Sequence, residues 1–195
     1  MANKYQKLIN ESVEFLGESV DPAHGIIHAK SVAKHALEIS ENYSEVDKDL
    51  IELCAYWHDD GRLLNPVHEQ ASAGMLFEAL KEFGEEEEIC KKAYNAVAFH
   101  KWNMTPITIE GEIIRDADKL DFISIDRWKA AIEKNSFKHL EDMTELLPKL
   151  RNEILHLQES KIIYDRLITS FNEFVRSQNN MNFDSIRSRV LEYQF

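Results

Sequence analysis

The stretch Tyr56-Trp57-His58-Asp59-Asp60-Gly61-Arg62 places an imidazole next to a carboxylate at the end of an apolar run. That run, residues 50–57, has the spacing of a buried helical face, and Gly61 is typical of a helix end. Neighbouring side chains on a helix diverge by about 100°, so both can reach one metal ion only where the helix is ending. The His58-Asp59 pair lies at such a place. It indicates a metal site if further ligands come from other parts of the chain.

Helical patterns surround this stretch on both sides, and no segment alternates with a period of two. The spacing predicts helices over 3–17, 26–43, a third ending at His58-Asp59, 68–83, 85–100, a run from about 110, one long or two stacked helices over 143–174, and a last one over 183–191. Turns are predicted at 21–25, 44–48 and 65–67, and an ordered loop at 101–107. The sequence therefore predicts an all-α, single-domain helical bundle over residues 1–195. Its motif-bearing core spans about 21–127, and C-terminal helices over 143–195 complete or extend the bundle.

Composition restricts the class of protein. The 195 residues are 44% hydrophobic and 30% charged, as in ordinary globular domains, and carry a net charge of −12. Such a surface repels nucleic acid polymers, although a local cation still allows a small anion to bind. Cys54 and Cys90 form no CxxC motif, so we expect neither a disulfide framework nor a thiolate zinc site.

The N-terminal residues contain no apolar segment of the signal-peptide kind, and no run of about 18 apolar residues could cross a membrane. We therefore expect a cytoplasmic protein without membrane contact. The oligomeric state stays open at this point.

Two further residues complete a candidate metal shell with the His58-Asp59 pair. His28 and Asp118 lie on other predicted helices, each near a helix end or at the edge of an apolar face. Two imidazoles and two carboxylates form a mixed nitrogen and oxygen shell, which suits Mn²⁺, Fe²⁺, Co²⁺ or Zn²⁺. An ion in such a shell lowers the pKa of bound water towards neutrality.

The order and setting of these residues resemble the HD-domain superfamily of metal-dependent phosphohydrolases. The matching segments are His28-Ala-Lys-Ser-Val32, His58-Asp59-Asp-Gly-Arg62 and Asp116-Ala-Asp118-Lys-Leu-Asp121, within about residues 21–127. The resemblance implies that His28, His58, Asp59 and Asp118 hold a divalent ion (Mn, Fe, Co, Zn or Mg). It also implies hydrolysis of a small phosphorylated metabolite, with a nucleotide as the first choice. The superfamily also contains di-iron oxygenases and inactive members, so a di-iron oxygenase and a non-catalytic nucleotide-binding module remain alternatives.

A second metal site and the catalytic carboxylates follow from the same comparison. His68 and His100 each begin or end a predicted helix and are candidates for a second ion, as in dinuclear relatives. Some nucleotide hydrolases of the superfamily have an acidic residue three places after their His-Asp pair, where this chain has Arg62. Guanosine tetraphosphate hydrolases tend to have a Glu-Asp pair there, so the sequence argues against that subgroup. Asp60 and Glu69 are then the candidate catalytic carboxylates beside Asp59.

Polar groups near these ligands are candidates for binding the substrate. Basic side chains donate to phosphate oxygens, Arg62 in bidentate fashion. The candidate substrate-binding residues are Arg62, His100, Lys101, Lys119 and Asp121. Trp102 and Trp128 could stack on a base, but core packing is the more common role of tryptophan. His24, His35, His139 and His156 are assigned no role in the site.

Overall fold

The computed structural model describes residues 3–17, 24–64 and 68–193. In these ranges the chain forms ten α-helices and no β-strand, which confirms the all-α prediction. The helices are α1 (Gln6–Gly17), α2 (Ile26–Ser40), α3 (Lys48–Trp57), α4 (His68–Phe83), α5 (Glu87–Ala98), α6 (Ile109–Leu120), α7 (Ile125–Glu133), α8 (Phe137–Lys149), α9 (Gln158–Ser177) and α10 (Asp184–Glu192). The predicted break at 65–67 and most of the predicted turn at 21–25 lie outside the described residues.

Helices α2, α3 and α6 pack together at the centre of the molecule, and α4 and α5 form a pair beside them. Two of these central helices, α3 and α6, have a side-chain cap at the N-terminus. Asp47 accepts hydrogen bonds from the backbone N–H groups of Asp49 and Leu50 at the start of α3, and Thr108 accepts one from Gly111 at the start of α6. Each cap fixes the residue at which its helix starts, and therefore the positions of the residues at the C-terminal end of that helix.

Helix α3 ends at Trp57, just before the predicted end at His58-Asp59. His58 still has helical angles (φ −60°, ψ −29°), whereas Asp59 leaves them (φ −110°, ψ 0°) and leads into a 3₁₀ turn, Asp60–Leu63. A Cβ on Gly61 would lie 2.5 Å from the Ser72 nitrogen and 2.7 Å from the His68 oxygen. Glycine is therefore required by the close approach of this turn to α4, rather than as the helix stop that the sequence suggests.

The C-terminal pattern over 143–174 belongs to two helices, α8 and α9, separated by a π-helical turn at Leu150–Ile154. Asp116 on α6 accepts hydrogen bonds from the backbone N–H groups of His156 (2.9 Å) and Leu157 (2.8 Å) just after that turn. The start of α9 is thus fixed by a side chain from the motif-bearing part of the chain.

The sequence pattern does not predict α7 as a separate helix, although Ser124 caps it by accepting a hydrogen bond from the Arg127 N–H.

Apolar residues from both parts meet in the core. The Trp128 ring on α7 lies edge-on to Phe171 on α9 (centroids 4.9 Å apart) and to Phe183 (5.8 Å). Trp128 is fully buried and therefore fills the core instead of facing a ligand. Cys54 and Cys90 are buried free thiols. Among the described helices, none is long and apolar enough to span a bilayer.

Candidate metal centre

Four side chains from three helical segments converge at one point. His28 comes from the first turn of α2, His58 and Asp59 follow α3, and Asp118 lies in the last turn of α6. His28 Nε2 lies 3.0 Å from His58 Nε2, 3.4 Å from Asp118 Oδ1 and 3.6 Å from Asp59 Oδ2. All four side chains are buried. The structure therefore brings together the residues that the sequence proposes as one ligand set.

Hydrogen bonds at the other ring nitrogen fix the tautomers of both histidines. His28 Nδ1 lies 2.6 Å from Asp121 Oδ2, and His58 Nδ1 lies 2.7 Å from the Ala55 carbonyl oxygen. An ionised carboxylate and a carbonyl only accept, so each Nδ1 carries the proton. Each Nε2 then presents a lone pair, and the two lone pairs face each other at 3.0 Å. They repel unless a positive centre lies beside them.

Asp59 provides an independent test of whether an ion fits. Both of its carboxylate oxygens are buried, and neither accepts a hydrogen bond from the described residues. Oδ2 faces His28 (3.6 Å), His58 (3.7 Å) and, nearest of all, Arg62 Nε (2.8 Å), whereas Oδ1 faces His68 (3.0 Å) and His100 (3.8 Å). Buried carboxylates are normally paired or bound to metals, and imidazole with carboxylate suits first-row divalent ions. The residues present therefore fit a divalent cation.

His68, at the start of α4, and His100, just after α5, add two more potential ligands to the cluster than one ion requires. His100 Nδ1 donates to the Val97 carbonyl oxygen at 2.6 Å, which leaves Nε2 as a lone pair as well. The ligand atoms of His58, Asp59 and His100 lie within 4.8 Å of one another, as do those of His28, His58 and Asp118. The cluster thus contains two overlapping sets of potential ligands.

The protonation states of the candidate ligands at neutral pH favour metal binding. Burial lowers the pKa of His28 to about 4 and that of His100 to about 3, so both imidazoles are neutral. Burial opposes ionisation of Asp118, but the Lys119 ammonium beside it outweighs this effect and holds the pKa far below its usual range. For Asp59 burial is likewise outweighed, with the Arg62 guanidinium among the groups that favour the ionised form, and its pKa is well below normal. Neutral imidazoles and ionised carboxylates are the forms that bind metals.

Asp121 does not lie where a substrate would reach it. Its side chain is fully buried, and Oδ2 accepts from His28 Nδ1 and from the Arg127 guanidinium (3.1 Å). Burial opposes its ionisation, yet His28 and Arg127 keep its pKa below the ordinary value. A carboxylate behind a metal-binding imidazole orients the ring and raises its basicity. These contacts favour an orienting role for Asp121 over the expected substrate binding. The sequence pattern gave no signal for its buried partner Arg127.

The other two candidate catalytic carboxylates also have structural partners. Asp60 accepts from the Ser12 hydroxyl on α1 at 3.1 Å, and burial raises its pKa to about 8. Glu69 is buried, with one oxygen 3.8 Å from His68 Nδ1 and the other 3.4 Å from Lys101 Nζ. Asp60 therefore connects the ligand turn to α1, and Glu69 lies behind His68.

Three basic side chains lie around the ligands. Arg62 Nε lies 2.8 Å from Asp59 Oδ2, without hydrogen-bond alignment, and its side chain is 36% exposed. Lys119 Nζ contacts Asp118 Oδ2 directly and is almost buried, whereas Lys101 is half-exposed.

The His24 ring lies 6.0 Å from that of His28 and 5.0 Å from that of His139, so two histidines without an assigned role lie close to the centre. The four-residue spacing of His24 and His28 is a signal for the first of these contacts, whereas the surroundings of His139 carry none.

The fold and the site define a helical protein with a buried centre of histidines and carboxylates that could hold a metal ion. The family model of the HD domain matches residues 25–123, about half of the chain. The chain belongs to the HD-domain family. That match covers every residue of the cluster.

Solved structures share the fold. A predicted HD superfamily hydrolase from an uncultured Thermotogales bacterium is 23% identical with a TM-score of 0.66, the match covering 88% of each chain. YpgQ from Bacillus subtilis, in complex with ADP, is 22% identical with a TM-score of 0.60, over 88% of this chain and 93% of that one. The Lin1889 protein from Listeria innocua is 19% identical with a TM-score of 0.62, over 92% and 97%. A search of curated proteins finds no match to the chain.

Proposed function

We propose that the protein is a metal-dependent phosphohydrolase that acts on a small phosphorylated metabolite, with a nucleotide as the first choice. The observation that carries this proposal is the pair of buried Nε2 lone pairs, 3.0 Å apart, beside the carboxylates of Asp59 and Asp118. Membership of the HD-domain family supports the same reaction class.

His28, His58, Asp59 and Asp118 would hold the divalent ion. When bound, such an ion supplies a coordinated water of lowered pKa and polarises a phosphoryl oxygen. The ion-pair distances at Asp59 also favour a second ion held by His68 and His100, because Oδ1 faces these two imidazoles whereas Oδ2 faces His28 and His58 together with Arg62. Asp121 holds His28 in the tautomer that leaves Nε2 free.

Basic side chains at the same point would bind and orient the phosphate. Lys119 is nearly buried against Asp118, and Arg62 lies against Asp59 with about a third of its side chain exposed. Both place N–H donors next to the ligand carboxylates, where a phosphate bound to the ion would also lie. Lys101 is more exposed and lies on the His68 side of the cluster, next to Glu69. These positions favour a substrate with more than one anionic oxygen.

A nucleotide is supported by a relative and by the charge distribution. YpgQ, which shares the fold, binds ADP. The chain has a net charge of −12, so the basic groups near the ligands are a local exception that suits a small anion better than an extended polymer.

Activity measurements on ligand variants test the proposal. Phosphate and pyrophosphate release from nucleotides, sugar phosphates and cyclic dinucleotides is measured with Mn²⁺, Co²⁺ and Mg²⁺. His58→Ala and Asp59→Ala are expected to abolish the ion-stimulated release while the helical circular dichroism remains. His156→Ala is the matched control, because this partly exposed histidine pairs with Glu112 away from the centre. Full activity in both ligand variants would show that the site is misplaced.

A di-iron oxygenase is a second candidate, because His68 and His100 lie where a second iron would need them. It predicts two iron atoms per chain, visible absorption and O₂ consumption. The phosphohydrolase predicts phosphate release under anaerobic conditions with Mn²⁺, and the two assays separate the candidates.

A further inference from the structure

A cavity of about 830 Å³ lies between α2, α7 and α9, apart from the metal centre. Its walls are formed on one side by the α2 residues around Lys30 and Lys34, and on the other by α7 with Leu167 of α9. None of the candidate metal ligands lines it. The volume is within the range of about 300–1,000 Å³ that is typical of small-molecule sites.

Three lysines give this cavity a basic character that most of the surface lacks. Lys30, Lys34 and Lys129 line it in a chain whose net charge is −12. Asp126 and Glu133 line it as well, yet within the described ranges none of these five groups forms an ion pair. Lys30 and Lys34 are therefore available to an anion from outside the chain, and Lys129, whose Nζ lies 6.0 Å from the centroid of the Phe174 ring, is held by no carboxylate of the described residues.

His35 supplies a second and independent observation. Its ring lines the cavity and is 6% exposed, and its Nδ1 has no hydrogen-bond partner among the described residues. A buried polar atom without a partner is destabilising, so a group inside the cavity that bonds to it would relieve this cost.

The remaining walls are apolar, and one of them ends in a helix N-terminus. Ile27, Ile123, Ile125 and Leu167 contribute hydrocarbon surface. Ser124 caps α7 at the same wall, so the first backbone N–H groups of α7 begin there. A helix N-terminus attracts negative charge. The walls thus combine an apolar surface with an anion-binding edge.

We propose that this cavity binds a small organic anion, with a phosphate or carboxylate head at Lys30, Lys34 and Lys129 and an apolar body against the isoleucines. This site goes beyond the proposed hydrolase function and needs no metal ion. It adjoins the centre, because Ser31 in its lining lies one turn after His28. Its occupant is nevertheless distinct from a substrate of the metal centre.

Binding of the amphiphilic anion 8-anilinonaphthalene-1-sulfonate, followed by fluorescence on the full chain in EDTA, tests this site. Wild type is expected to bind saturably. Lys30→Gln, Lys34→Gln and Lys129→Gln should each weaken binding about two- to fivefold, as expected for one partly exposed charge contact. Lys138→Gln on α8, an exposed lysine outside the cavity, should leave it unchanged. Competition by hexyl phosphate against hexanoate identifies the preferred head group.

A bulky residue at the rim provides a test that does not depend on charge. Ser170 is exposed on α9 and lines the cavity, so Ser170→Trp should abolish probe binding without disturbing the core. Thr169→Trp, at the adjacent exposed position outside the lining, should leave binding intact. Asp118→Asn should also bind normally, which separates this site from the metal centre. Absence of saturable binding to wild type, equal effects of the two tryptophans, or loss of binding in Asp118→Asn would each overturn the proposal.

Discussion

The helices that carry the HD motif and the C-terminal helices bury very different side chains. In the described part of the chain, every charged residue or histidine that is buried as a whole lies between His28 and Arg127, whereas in α8 to α10 the polar residues buried as a whole are Thr144 and Ser160. Burying charge is costly unless it is paired or bound to a metal. Both parts contribute buried apolar side chains, but only the motif-bearing part also buries charged groups, which is the difference expected if the proposed metal site lies there.

The two parts are joined by a few specific contacts. Arg115 donates to the Ile154 carbonyl oxygen (2.6 Å), and Asp116 accepts from the backbone of His156 and Leu157. Trp128 packs against Phe171 across the same boundary. We propose that both parts unfold together as one domain, so that changes in either can be compared on a common scale of unfolding free energy.

The largest effect is expected from the C-terminal core. Phe171 is fully buried against Trp128, so Phe171→Ala should lower the free energy of unfolding by about 3–5 kcal/mol. Ile162→Ala, at a 59% exposed position on the same helix, should change it by less than about 0.5 kcal/mol. Urea unfolding measures both. A folded Phe171→Ala that no longer binds Mn²⁺ would contradict the separation of stability from chemistry.

Metal binding should stabilise the whole molecule through the first part alone. At a free Mn²⁺ concentration of about 100 times Kd, the free energy of unfolding should rise by about 2.7 kcal/mol over the EDTA-treated protein. Calorimetry measures this rise, with NaCl at equal ionic strength as the control. The same rise in His58→Ala would place the ion elsewhere.

A smaller effect is expected one contact away from the ligands. Asp121→Asn removes the carboxylate that orients His28 and pairs with Arg127, so Mn²⁺ affinity should fall about 10- to 100-fold. Isothermal titration measures the affinity, and the exposed Asp142→Asn serves as the matched control. Unchanged affinity in Asp121→Asn, with a normal unfolding transition, would exclude the orienting role.

The smallest effect is expected at a surface contact between the two parts. Arg166 on α9 pairs with Glu38 on α2 at 2.6 Å, and both side chains are accessible to solvent. Arg166→Gln should cost less than about 1 kcal/mol, and less still in high salt. A larger loss that is insensitive to salt would mean that this pair, and not the buried core, connects the parts.

Sequence periodicity predicted much of the helical framework, because amphipathic spacing and caps are local signals. It also placed His28, His58, Asp59 and Asp118 at helix ends, and the structure brings these residues together. The pattern over 143–174 could not decide between one long helix and two, since an apolar stripe continues through the π turn at Leu150–Ile154.

Local sequence patterns could not predict which residues pair with the buried charged groups. Arg127 looks like a surface residue in the sequence, yet it is buried against Asp121, a contact set by how α7 packs. Asp60 bonds to Ser12 of α1, and this pairing depends on the tertiary approach of two distant segments. Spacing along the chain gives no distance between such residues.

The claim that four side chains hold one cation is tested most directly by anomalous X-ray scattering from crystals grown with Mn²⁺. We expect a manganese peak within bonding distance of His28 Nε2, His58 Nε2, Asp59 and Asp118. Absence of a peak at saturating Mn²⁺, or a peak bound by other residues, would contradict it.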